Sequence, residues 1–332
     1  MSCCYLRDRA RWQFSLALMS LLLSSIAAGC NDRSSSSPPA PQSKPQVEAV
    51  ASPSNQPKVV TTFLPMYWFT RAVAGEEAQV EILVPPGTEV HEYQATPANV
   101  QAIATSDVLV KNGLGLEEFL EDTIKNAGNS KLKQVEASKG IKPVAEISPV
   151  EATAKDEEHG HEHAEGNPHV WLDPVLAQQQ VNNIRDGLIA ADPQNKAIYT
   201  ANAANYIKQL QALDREFSQR LQKYPNCTFV TFHDAYPYLA QRYKLKQVAV
   251  VEIPEDQLSP QDIQRAIATV KKYNVKAVFG EPGTDNRLLK NLSQDLNLTF
   301  RPLDPLEAGE TNPQHYFTAM QANLKSLEAG CQ

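Results

Sequence analysis

A chain of 332 residues, 42% hydrophobic and 21% charged, has the balance of a soluble protein of one or two domains. Its net charge of −7 and the absence of a long basic stretch argue against nucleic acid as a partner, because phosphate backbones require clustered Lys and Arg.

The first 29 residues read as a signal peptide. Arg7, Arg9 and Arg11 precede an apolar run from Phe14 to Ile26 that is too short to span a bilayer comfortably. Ala27-Ala28-Gly29 then sets small residues before Cys30, as in a bacterial lipobox, although Ala27 stands where Leu is usual. Cys30 is the expected lipidation site, with plain secretory cleavage or a retained membrane anchor as alternatives. Any of these puts the protein outside the cytoplasm, free in a periplasm or anchored on the extracytoplasmic face. Cys227 and Cys331 then sit in a compartment that permits disulfides. A bridge between them would tie the last residues to the start of a strand; the alternative is two buried or reduced thiols. Residues 30–57 are rich in Ser, Pro and Gln and bury too little to fold, so they read as a tether.

Residues 58–191 read as an α/β lobe. Val59 to Phe63 is a β-branched run that predicts a strand, and Met66 to Val73 a helix closed by Gly75. A strand is expected over Gln79 to Val84, then a loop holding His91. Thr96-Pro97 opens a helix, with Pro at its first position. Strands at Asp107 to Lys111 and Gln134 to Ala137 flank a helix at Glu117 to Asn126. This alternation implies a parallel sheet with helical crossovers. Residues 155–166 form an acidic, His-rich loop with His159, His161 and His163, where imidazoles would capture a metal ion transiently or simply be solvated.

Asp173-Pro174 and Asp192-Pro193 are both helix starts. The second opens a stretch, 192–224, without Gly or further Pro, in which Ile198, Ala201, Ala204, Ile207, Leu210, Leu213, Phe217 and Leu221 recur mostly at steps of three. It predicts one stiff helix, about 45 Å long at ~1.5 Å per residue, able to link two lobes. Residues 225–332 repeat the α/β pattern, with strands at Thr228 to Phe232, Gln247 to Val251, Ala277 to Phe279 and Thr299 to Arg301.

Open α/β sheets bind ligands beyond the carboxyl ends of their strands. His91 and His233 follow strands, and His169 lies just before a helix, so all three can reach a cleft between the lobes. Asp304, after the last strand, has the same placement, with capping of the next turn as its alternative role. Three imidazoles and a carboxylate suit tetrahedral zinc. Glu281, also after a strand, would accept an imidazole N–H and orient the ring, unless it is a surface acid. Trp171 reads as packing between lobes.

The run Gly87-Thr88-Glu89-Val90-His91-Glu92-Tyr93, Asn167-Pro168-His169-Val170-Trp171-Leu172-Asp173-Pro174, Thr231-Phe232-His233-Asp234 and Leu303-Asp304-Pro305-Leu306 together resemble the cluster A-I solute receptors of ABC importers, and the His-rich loop and His233 resemble their zinc-specific, ZnuA-like branch. The resemblance implies two Rossmann-like lobes bridged by a rigid helix, Zn2+ as the carried ligand, an ABC permease as partner, and no catalysis. A monomer is expected. Some zinc receptors have Glu directly before the first His; here Val90 stands there, which leaves Asp304 or a water as fourth ligand. Three alternatives remain. A manganese or iron receptor of the same family would favour more carboxylates. An exported zinc enzyme would use an open coordination position, although no H-E-x-x-H motif is present. A surface adhesin would hold metal incidentally. Three ligating imidazoles would compete with protons between roughly pH 7 and 5.

Overall fold

A computed structural model describes residues 56–91, 93–144, 166–250, 260–273, 275, 277–284 and 286–332. Cys30, the tether up to residue 55 and the histidines His159, His161 and His163 lie outside the described residues.

Two four-stranded sheets, both all-parallel, repeat one strand order. In the N-terminal lobe, β1 (Lys58–Thr61), β2 (Gln79–Ile82), β3 (Val108–Lys111) and β4 (Lys133–Glu136) lie in the order β2-β1-β3-β4. In the C-terminal lobe, β5 (Thr228–Thr231), β6 (Lys246–Ala249), β7 (Ala277–Gly280) and β8 (Thr299–Pro302) lie in the order β6-β5-β7-β8. The central strands β3 and β7 are buried apolar runs, as parallel strands covered on both faces must be. In each lobe the chain leaves the first strand on one side and returns on the other, which opens a crevice at the strand ends.

Helices α1 (Leu64–Ala74), α2 (Pro97–Ala104), α3 (Leu120–Ala127) and α4 (Pro174–Ala191) belong to the first lobe. Two of the starts are explicit in the sequence. Thr96 Oγ1 accepts the Asn99 N–H while Asn99 Oδ1 accepts the Thr96 N–H, and Pro97 follows. Asp173 accepts the Val175 N–H ahead of Pro174. Helix α5 (Lys196–Leu221) follows a short turn at Pro193–Asn195 and leads into the second lobe, with its helices α6 (Pro237–Arg242), α7 (Pro260–Lys272), α8 (Arg287–Asp295) and α9 (His315–Gly330). At ~1.5 Å per residue its 26 residues span roughly 39 Å.

The buried face of α5 differs from the expected stripe. Its N-terminal half buries Tyr199, Ala203 and Tyr206, and Ile198 is 39% exposed. Five successive steps of three residues drift steadily around a 3.6-residue helix, whereas Tyr199, Ala203, Tyr206 and Leu210, at alternating steps of four and three, keep one face. That face packs on α1, α4 and α9, so one apolar core runs from β1 and α1 through α4 and α5 into β5, β7 and α9. Residues Pro53–Gln332 form one compact unit.

Cys227 and Cys331 form a disulfide with Cα atoms 5.7 Å apart, joining the approach to β5 with the end of α9. A tie closing a loop of this size contributes about 2–5 kcal/mol. Among the described residues, no helix is long and apolar enough to cross a membrane.

Candidate metal centre

The C-terminal lobe supplies one histidine directly from a strand end. His233 lies two residues beyond β5, its carbonyl held by the Thr231 hydroxyl at 2.9 Å and Gln247 Nε2 at 3.2 Å. Glu281 follows β7 immediately, and its Oε1 accepts the His233 backbone N–H at 3.2 Å and faces Nδ1 at 2.6 Å. Both side chains are buried.

The N-terminal lobe supplies two histidines from loops. His91 stands in the connection between β2 and α2 with its side chain nearly inaccessible. His169 precedes a single 3-10 turn, Val170–Leu172, and is buried. Asn112, at the end of β3, fixes this turn by donating from Nδ2 to the Pro168 carbonyl at 3.0 Å. Asn167 fixes the ring. Its Oδ1 lies 3.0 Å from both the backbone nitrogen and Nδ1 of His169, while its Nδ2 donates to the Asp234 carbonyl at 2.7 Å.

These contacts decide the tautomers. A carboxylate and an amide oxygen accept but do not donate, so the Nδ1 atoms of His233 and His169 carry protons, and Nε2 is the nitrogen each ring offers to an ion once the ring is neutral. The two Nε2 atoms are 3.3 Å apart, and His91 Nε2 is 3.3 Å from that of His169. Glu307 Oε1 joins them, 3.3 Å from His169 Nε2 and 3.7 Å from His91 Nε2. All four ligand atoms lie within 4.8 Å of one another. Such a group could hold a metal ion. The spacing also suits one: a tetrahedron with ligands at about 2.0–2.1 Å has edges of about 3.3–3.4 Å.

The surroundings set the charge states. Burial drives the His169 pKa down to about 3, against the pull of Glu307. Burial acts downward on His233 too, but the adjacent Glu281 carboxylate outweighs it and raises the imidazole to about 9. Burial alone would raise Glu307, yet the facing imidazoles of His169 and His91 hold it below the usual carboxylate range.

The carboxylate in this cluster is Glu307 and not Asp304. Asp304 takes its alternative role: Oδ1 accepts the Leu306 N–H at 2.7 Å, capping a turn in which Leu306 adopts φ +68°. Asn323 grips the Asp304 backbone from both sides, at 2.8 Å and 2.7 Å. The capped turn sends the chain back toward the cleft, and the next acidic side chain, Glu307, reaches the imidazoles. An Asp followed by Pro-Leu already suggested a cap, and the following Glu was the signal passed over. His91, His169 and His233 are brought together, and Glu281 stands behind His233.

Residues 59–330 match the family described as ZnuA, zinc-uptake complex component A, periplasmic. The chain belongs to this family. Zinc-binding lipoprotein AdcA of Streptococcus pneumoniae is 35% identical over 279 residues, covering 81% of this chain and 55% of AdcA. The chain therefore spans about half the length of that relative. High-affinity zinc uptake system protein ZnuA of Bacillus subtilis is 34% identical over 275 residues, covering 81% of this chain and 86% of its own length. Among solved structures, the Zn(II)-bound ZnuA-like domain of S. pneumoniae AdcA has a TM-score of 0.69 at 32% identity, covering 83% of this chain and 99% of that domain.

Proposed function

We propose that this protein is an extracytoplasmic receptor that captures Zn2+ with His91, His169, His233 and Glu307 and delivers it to an ABC-type permease for import. The observation that carries this reading is the convergence of three imidazole Nε2 atoms and a carboxylate oxygen within 4.8 Å of one another. The zinc-binding relatives support it. Three imidazoles against one carboxylate favour zinc over manganese or iron, which prefer oxygen-rich sites. Four protein ligands fill a tetrahedral shell and leave no position for a reactive water, so a carrier fits this set better than an enzyme does.

The N-terminal sequence supports export, with lipidation at Cys30 and residues 30–57 holding the head off the membrane. His159, His161 and His163 would collect ions weakly and raise their concentration near the cleft. Both lobes offer surface to a permease as a single chain, and they share one apolar core.

Protein lacking residues 1–29 is expected to bind one zinc tightly in chelator competition. Replacing both His91 and His169 by Ala should lower that affinity by more than the roughly 10–100-fold that losing a supporting partner costs. Unchanged binding of one tight zinc in the double variant would sink the assignment.

A further inference from the structure

Glu307 belongs to the C-terminal lobe, yet its loop is gripped from the N-terminal lobe. Trp171 Nε1 donates to the Pro305 carbonyl at 2.8 Å, two residues before Glu307. Trp68 Nε1, from α1, donates to the Glu310 carbonyl at 2.7 Å, three residues after it. Both indoles are fully buried. Within its own lobe the loop is curled by the Asp304 cap and the left-handed Leu306, neither of which touches the carboxylate.

Trp171 also lies two residues beyond His169. Its ring packs on that imidazole with centroids 5.0 Å apart, and its carbonyl accepts from the Tyr316 hydroxyl at 2.8 Å. A single turn of the N-terminal lobe therefore orients one imidazole and holds the loop that bears the carboxylate.

Resting on the reading of Glu307 as a zinc ligand, we propose that Trp68 and Trp171 are positioning residues for its carboxylate. An indole N–H is a donor only and points in one direction. Two of them, bracketing Glu307, fix the loop before the ion arrives. A carboxylate that had to be ordered during binding would lower affinity by the cost of that ordering.

The test is a pair of double-mutant cycles. Trp68→Phe and Trp171→Phe keep the buried ring and delete the N–H; each is made in the native chain and in Glu307→Ala. Zinc affinity is read by chelator competition, and the site is also read by the visible absorption of bound Co2+. In the native background each substitution is expected to weaken zinc about 10- to 100-fold. In the Glu307→Ala background the same substitution should change affinity by less than about twofold, because no carboxylate remains to be positioned. The Co2+ spectrum of each single variant should shift toward that of Glu307→Ala. An equal loss in both backgrounds would mean that the indoles act elsewhere, and no loss in the native background would also overturn the proposal. If Trp171→Phe does not fold, Trp68→Phe decides alone, since its ring packs on His315 and not on a site histidine. If Glu307→Ala itself leaves zinc affinity unchanged, the ligand reading has failed, which is a different result from failure of the positioning role.

Discussion

Each lobe buries a glutamate at the ends of its central strands, and the two glutamates serve different partners. In the N-terminal lobe Glu117 accepts the backbone N–H groups of Asn112 and Gly113, at 2.6 Å and 3.0 Å, and the Thr62 hydroxyl at 2.8 Å. Burial raises its pKa against those three bonds. In the C-terminal lobe Glu281 turns to His233 instead. One strand order thus yields two uses of a buried carboxylate. Held by two backbone N–H groups and a hydroxyl, it ties strand ends together; aimed at an imidazole, it orients the ring. The N-terminal lobe spends Glu117 on its own strand ends, and its two histidines come from loops.

Removing the two carboxylates should separate these uses. Glu281→Ala is expected to lower zinc affinity about 10–100-fold while leaving the fold largely intact. Glu117→Ala should instead cost about 2–4 kcal/mol in urea unfolding, because it strands buried donors, with zinc affinity in the folded protein nearly unchanged. If the Glu117 variant lost zinc more steeply than the Glu281 variant, the division would be wrong.

The pH dependence sharpens the same contrast. The raised pKa of His233, about 9, means that the apo protein at neutral pH holds a proton which zinc must displace. Affinity is therefore lost as pH falls below about 9, by roughly tenfold per unit from this residue alone. His169, at about 3, is already neutral and contributes no proton above pH 5. Chelator competition from pH 6 to 9 should find affinity still rising above pH 7. A plateau beginning near the ordinary imidazole value of ~6.5 would contradict the Glu281–His233 pairing.

The smallest effect is expected from the His-rich segment. Deleting residues 157–165 should remove weak sites and change tight affinity by less than about twofold, since the four convergent ligands lie elsewhere. Calorimetry that found the tight site lost would bring that loop into the primary shell.

The alternation of strands and helices was legible because Pro-led helix starts and β-branched runs are local signals. His91, His169 and His233 were legible because each follows a strand or precedes a helix at a cleft-facing end. Glu307 was not, since its approach depends on a capped left-handed turn at Leu306 and on indoles more than 130 positions away in sequence. The buried face of α5 was half legible: Leu210, Leu213, Phe217 and Leu221 were named, whereas Tyr199 and Tyr206 were missed because their aromatic bodies are buried despite polar tips.

The four ligand atoms come from segments scattered between residues 91 and 307, and no two adjacent elements contain the whole set. A bound ion is then a non-covalent cross-link that only the finished fold can make. Binding that excludes unfolded chains adds about 4 kcal/mol at a free-ion level a thousandfold above Kd. On the proposed export, unfolded chains meet proteases, and loaded molecules would outlive empty ones. The standing amount of the protein would then follow the supply of the ion that the proposed site holds.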